Sequence, residues 1–153
     1  TIVSPDSGRV RVADIWAERL GAPLAIIHKR RDPDRPNQVE AHELVGDVEG
    51  RTCLLVDDMI DTGGTIVAAA QALKKNGAAK VIVASTHAVF SSPAVERLSS
   101  GAVDEVIVTN TLPITPDKKF EQLTVLSIAP LIAAAISAVF GDDSVNKLFP
   151  GHA

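Results

Sequence analysis

The chain has 153 residues, of which 46% are apolar, 22% charged and 3% aromatic, with a formal net charge of -4. That balance describes one globular domain with a core of its own, and the mild negative charge argues against a nucleic-acid surface. No apolar run approaches the roughly 20 residues a membrane-crossing helix needs, and the single cysteine, Cys53, excludes an internal disulfide, so no membrane partner and a reducing, cytoplasmic setting are expected.

Scarce aromatics leave Val, Ile, Leu and Ala to build the core, the usual filling of a parallel sheet buried on both faces. The chain opens at Thr1-Ile2-Val3-Ser4, a strand-like run with no Met, which predicts a piece of a longer protein. A strand over Thr1–Val3 leads into Pro5-Asp6-Ser7-Gly8, a run whose plain reading is a turn. A helix over Val10–Leu20 follows, with Gly21 where a left-handed residue closes a helix. The strand Leu24–His28 delivers Lys29-Arg30-Arg31 into a charged, two-proline segment that reads as a mobile loop to Asn37. His28 reads as a structural strand-end residue, and His42 to Gly50 as a short hairpin around Val45-Gly46-Asp47-Val48.

Strand and helix patterns then alternate, as in a doubly wound sheet. The strands fall at Thr52–Val56, Lys80–Thr86, Glu105–Thr109 and Leu123–Ser127, the helices at Thr65–Asn76, Pro93–Ser99 and Pro130–Phe140. Gly77 closes one helix, and Ser92-Pro93 reads as an N-cap and first-turn pair for another.

The most informative string is Leu54-Leu55-Val56-Asp57-Asp58-Met59-Ile60-Asp61-Thr62-Gly63-Gly64-Thr65. A buried strand meets two acids at its carboxyl end, where open α/β sheets place their ligands. Two glycines then bend the chain into a helix start, leaving amide N–H groups and the positive helix end for a phosphate. Thr62 and Thr65 add hydroxyl donors, and Asp57 and Asp58 stand ready for sugar hydroxyls or a cation. A bare glycine turn with acids as caps would explain Gly-Gly alone, but not the whole string. No Lys follows the glycines, so this is not a Walker loop.

The string resembles the phosphoribosyl-diphosphate (PRPP) binding signature shared by type I phosphoribosyltransferases and PRPP synthetases. The resemblance implies an α/β, phosphoribosyltransferase-like fold with a mostly parallel, doubly wound sheet flanked by helices. It also implies that Asp61, Thr62, Gly63, Gly64 and Thr65 cradle the 5-phosphate of a ribose, while Asp57 and Asp58 contact its hydroxyls.

Three further segments are similar to PRPP synthetases. Asp6, Ser7 and Gly8 match the diphosphate loop, where the acid helps hold magnesium; Arg9 stands where a second glycine usually follows, and could itself meet an anion. Lys29 and Arg31 match the catalytic cations that steady the transferring phosphoryl group. Ser144, Val145 and Phe149 match a regulatory phosphate or ADP segment, with Asn146 in place of a serine; a plain C-terminal cap with Phe149 docked in the core reads equally well.

By this resemblance the chain is the C-terminal, ribose 5-phosphate-binding half of a ribose-phosphate diphosphokinase over residues 1–153, without its ATP-binding N-terminal half. The implied substrates are ATP and ribose 5-phosphate, the cofactor Mg2+ at Asp6 and Asp58, and the assembly a homo-oligomer, hexameric in the full-length family. Two alternatives stay open: a PRPP-dependent phosphoribosyltransferase, and a catalytically silent paralogue that binds sugar phosphates.

Overall fold

The computed structural model describes residues 1–30 and 41–149. Among the described residues seven strands form one sheet: β1 (Ile2–Ser4), β2 (Leu24–Arg30), β3 (Ala41–Val45), β4 (Thr52–Ile60), β5 (Lys80–Ala88), β6 (Glu105–Thr109) and β7 (Leu123–Leu126). Four helices accompany them: α1 (Val10–Leu20), α2 (Gly64–Lys75), α3 (Ala94–Leu98) and α4 (Ala129–Phe140). The strand order is β3-β2-β1-β4-β5-β6-β7. All neighbours run parallel except β3 against β2. The α/β reading and its parallel, doubly wound sheet are therefore borne out.

The order reverses beside β1. From β1 the chain crosses through α1 to β2 on one side, and from β4 it crosses through α2 to β5 on the other. Successive strand residues face opposite sides of a sheet, so Ile2 and Val56 meet Ala13 and Ala17 of α1. Val3, Cys53, Leu55, Val81 and Val83 meet Ile66, Ala69, Ala70 and Leu73 of α2 on the other face, with Ala94 and Leu98 of α3 in the same cluster. The core is aliphatic, as the composition demands.

The differences from expectation have local causes. β4 runs on to Ile60 and β5 to Ala88 because they pair in register past the acids, through Asp57↔Ser85 to Ile60↔Ala88. Residues 42–50 are not a self-paired hairpin: β3 pairs antiparallel with β2, from Ile26↔Val45 to Arg30↔Ala41. The chain then returns along the base of the sheet, burying Val48. The expected mobile loop falls partly in β2, which reaches Arg30, and otherwise outside the described residues. Helix α3 begins one residue late, with Pro93 rather than Ser92 in the capping position, because a turn from Ser91 to Ala94 closes first (2.9 Å). Gly21 and Gly77 do take left-handed conformations after their helices.

The last element stands apart. Helix α4 is almost wholly apolar and contributes no buried residue; Leu131, Ile132, Ile136 and Val139 are exposed, and Phe140 is 87% exposed. Among the described residues no helix is long and apolar enough to cross a membrane.

Gly46 fixes the return from β3. Its φ is 116°, and an added Cβ would lie 2.8 Å from the Ala25 Cβ and 2.9 Å from its Cα. Gly46→Ala should therefore lower stability by about 3 kcal/mol, a left-handed backbone cost plus overpacking. Gly50→Ala, with open space around it, should cost about 1 kcal/mol. Urea denaturation of the two variants checks the order.

Candidate functional site

The crevice where the strand order reverses is the ligand position of open α/β sheets. β1 pairs with β4 only through Leu55. Beyond that point the β1-facing edge of β4 opens onto the loop that follows β1, and the two acids lie along this stretch.

The turn after β4 leaves a run of backbone N–H groups without a protein acceptor among the described residues. Gly63 takes φ 72° and ψ 0°, a left-handed conformation that reverses the chain into α2. The first turn bond of α2 runs from the Val67 N–H to the Gly63 carbonyl at 3.0 Å. Among the described residues no protein acceptor takes the N–H groups of Thr62, Gly63, Gly64, Thr65 or Ile66. They border a hollow of about 270 Å³, lined by Asp57, Met59 and residues 60–66. Unclaimed amides at a helix start, with the helix dipole behind them, favour a phosphate. The turn is held from outside: Arg97 of α3 donates from Nη1 to the Thr62 carbonyl at 3.0 Å. Sequence reasoning missed Arg97, because nothing local ties a residue 35 positions away to the turn.

Strand alternation splits the acid pair. Asp57 shares the α2 side and lines the hollow; Asp58 points toward the α1 side, where Arg9 waits at the head of α1. Arg9 Nη2 donates to Asp58 Oδ2, and Arg9 Nε lies 3.4 Å from Asp57 Oδ1. The Asp57 carboxylate also accepts the Asp58 N–H at 2.8 Å. Burial pushes the Asp57 carboxyl above its ordinary value of 3.8, with the neighbouring Asp58 charge adding to the rise. At Asp58 burial works in the same direction, but the hydrogen bond and charge of Arg9 outweigh it and lower the carboxyl below 3.8. The pair therefore holds one firmly ionised acid and one that protonates more readily. Ser85, in register with Asp57, is buried with an unpartnered hydroxyl.

The expected diphosphate loop is closed on itself. Asp6 Oδ1 accepts the N–H of Gly8 at 2.8 Å and of Arg9 at 3.1 Å, while the Ser4 hydroxyl donates to the Asp6 carbonyl at 2.7 Å. A Cβ on Gly8 would sit 3.2 Å from that Asp6 oxygen, so the carboxylate packs over the glycine. Ser7 is exposed. Asp6 and Asp58 thus meet through Arg9, one fixing its backbone and the other its side chain.

Magnesium needs only one or two carboxylates beside waters and phosphate oxygens. The described residues contain no cluster of three or more His, Cys, Asp or Glu that could hold a metal. The half-exposed Asp58 carboxylate fits the smaller requirement.

Lys29 lies in β2 opposite His42. Arg31 falls outside the described residues. At the other end, the Ser144 hydroxyl accepts the Asn146 N–H at 3.3 Å and caps a short 3-10 turn over Val145–Leu148. Phe149 is 42% exposed, so it is not docked in the core.

A mostly parallel sheet whose switch point carries an amide-lined turn and an acid pair defines the class: a doubly wound α/β domain with its candidate site at the reversal of strand order. The chain belongs to the phosphoribosyl synthetase-associated domain family, whose sequence model matches residues 33–150. It is 62% identical over 149 residues to a ribose-phosphate pyrophosphokinase of Streptomyces coelicolor, covering 97% of this chain and 46% of that protein. Against the ribose-phosphate pyrophosphokinase of Mycobacterium tuberculosis it is 63% identical over 153 residues, covering 99% of this chain and 47% of that protein. The crystal structure of phosphoribosylpyrophosphate synthetase from Mycobacterium smegmatis matches with a TM-score of 0.84 and 59% identity, over 92% of this chain and 45% of that one. The chain spans about half the length of the curated relatives it matches.

Because Asp58 ionises below 3.8 in the fold, its pairing adds stability above that pH and loses it as pH falls through the lowered value. Asp58→Asn should therefore unfold more easily at pH 7, by at most about 1 kcal/mol given solvent screening of so exposed a pair. The difference should close as the pH is taken well below 3.8. Urea midpoints of both proteins across that range give the measurement.

Proposed function

We propose that this chain is the ribose 5-phosphate-binding, C-terminal half of a ribose-phosphate diphosphokinase, with the unclaimed amides of the Gly63-Gly64 turn as the phosphate seat. That cluster of free N–H groups above a hollow of about 270 Å³ is the observation that carries the reading. The names of the curated relatives support it and do not favour a phosphoribosyltransferase.

In this reading the 5-phosphate accepts hydrogen bonds from the amides of residues 62–66 and from the Thr62 and Thr65 hydroxyls. The ribose then extends along the end of β4, where Asp57 and Asp58 accept bonds from its hydroxyls and turn its 1-hydroxyl outward. The 1-oxygen bonds to the β-phosphorus of ATP as the bond from that phosphorus to the α-bridging oxygen breaks. AMP departs with that oxygen, and the 1-hydroxyl proton passes to solvent. Such a transfer depends on position and charge neutralisation more than on covalent help. Lys29 and Arg31 supply cationic charge to the transferring group. Magnesium, with Asp58 and Asp6 as its protein contacts, would when bound neutralise charge on the phosphate oxygens.

The ATP half of the enzyme belongs to a separate domain in this reading, and residues 1–153 bind the sugar phosphate but turn over little or nothing alone. The exposed apolar face of α4, from Leu131 to Phe140, supports a larger protein in which that helix is covered, by the other half or by further subunits of a homo-oligomer. Cys53 is free and buried, its thiol raised by that burial, in keeping with a cytoplasmic setting.

Gly63→Ala forces a side chain onto a left-handed residue and should weaken ribose 5-phosphate binding about tenfold. Calorimetric titration of the chain measures it, and unchanged affinity would remove the turn from the phosphate site. In the full-length enzyme Lys29→Ala should lower kcat by about a hundredfold or more, with only a small change in ribose 5-phosphate affinity. AMP release under saturating substrates tests this, and near-normal turnover would end the role given to Lys29.

A further inference from the structure

Arg9 enters the site from an unexpected direction. Its backbone stands at the head of α1, fixed by the Asp6 carboxylate at 3.1 Å, while its guanidinium crosses to a strand 49 residues further on. There it hydrogen-bonds Asp58 Oδ2 through Nη2 and reaches Asp57 Oδ1 through Nε at 3.4 Å. One planar cation therefore spans both acids of the pair. Arg9 is 36% and Asp58 42% exposed, so the clasp is reachable by solvent and can be opened without unpacking the core.

We propose that Arg9 is an internal counter-ion which a divalent cation must displace from Asp58, so that Arg9 sets how tightly the acid pair takes a metal. The proposal rests on the reading of Asp58 as a metal contact. The physical reason is charge. An arginine cannot be deprotonated in a protein, so a dication arriving at Asp58 meets a fixed positive group a few ångströms away. It must either tolerate that repulsion or replace the Arg9 hydrogen bond. Asp6 keeps the Arg9 backbone in place meanwhile, so the side chain swings while the helix head stays put.

Binding of Mn2+ to the chain, without nucleotide or sugar, tests this through the loss of the free-ion paramagnetic resonance signal. Arg9→Gln should bind Mn2+ about fivefold more tightly than the native chain, the scale of a partly exposed ion pair. Arg9→Lys keeps the charge but loses the fork and should gain less. Adding Asp58→Asn to Arg9→Gln should abolish the gain. Thermal unfolding reports whether each variant is folded; if Arg9→Gln is not, Arg9→Lys decides, and an affinity equal to native overturns the idea. Equal or weaker binding by a folded Arg9→Gln, a gain that survives Asp58→Asn, or no Mn2+ binding by any form also overturns it. A parallel ribose 5-phosphate titration separates the two readings. Retained sugar-phosphate binding with unmoved Mn2+ affinity sinks the Arg9 role alone, whereas loss of sugar-phosphate binding by the native chain sinks the phosphate seat.

Discussion

Strand β4 is held on both sides at its base and on one side only at its tip. β1 reaches it through Ile2↔Leu54 and Val3↔Leu55, while β5 stays paired up to Ile60↔Ala88. This unequal pairing is the constraint on which the site depends. Cys53, Leu55 and Val56 are buried, and one edge of the strand then opens just as the sequence turns from Leu and Val to Asp57 and Asp58. The crevice is the space that a three-residue β1 leaves unfilled.

Two electrostatic surfaces meet across that gap. On the α2 side the amides of residues 62–66 form a positive concavity without using a charged side chain. On the α1 side a real cation, Arg9, offsets two real anions. Because adjacent residues of a strand face opposite ways, Asp57 also lines the hollow beside the first surface, whereas Asp58 turns to Arg9 on the second. The difference in their ionisation follows. Asp57 is the more buried, and Asp58 has the closer hold on the guanidinium.

The other end of the chain has a different character. β7 is an edge strand, and α4 packs none of its apolar residues into the core. A helix apolar all round is ordinarily buried. Here Leu131, Ile132, Ile136, Val139 and Phe140 are all exposed. α4 contributes no residue to the buried cluster around β4 and β5, so the geometry of the site does not rely on it.

The α/β alternation, the aliphatic core and the glycine turn at Gly63-Gly64 were legible in the residues alone, because each is local. Strand runs, helix caps and a left-handed glycine are properties of a few consecutive positions. Contacts that join distant positions were not legible. Nothing near Arg9 announces that it clasps acids 49 residues on, nor does Arg97 carry a sign that it braces Thr62. His42 to Gly50 reads in sequence as a short hairpin around Val45-Gly46-Asp47-Val48, whereas β3 pairs with the edge of β2 and Val48 joins the core. Local chemistry thus specified the glycine turn and its open amides. Only the packing of β1, α1 and β4 around the switch point decided which charges would share the crevice with it, because that choice is made by chain crossing in space and not by sequence neighbours.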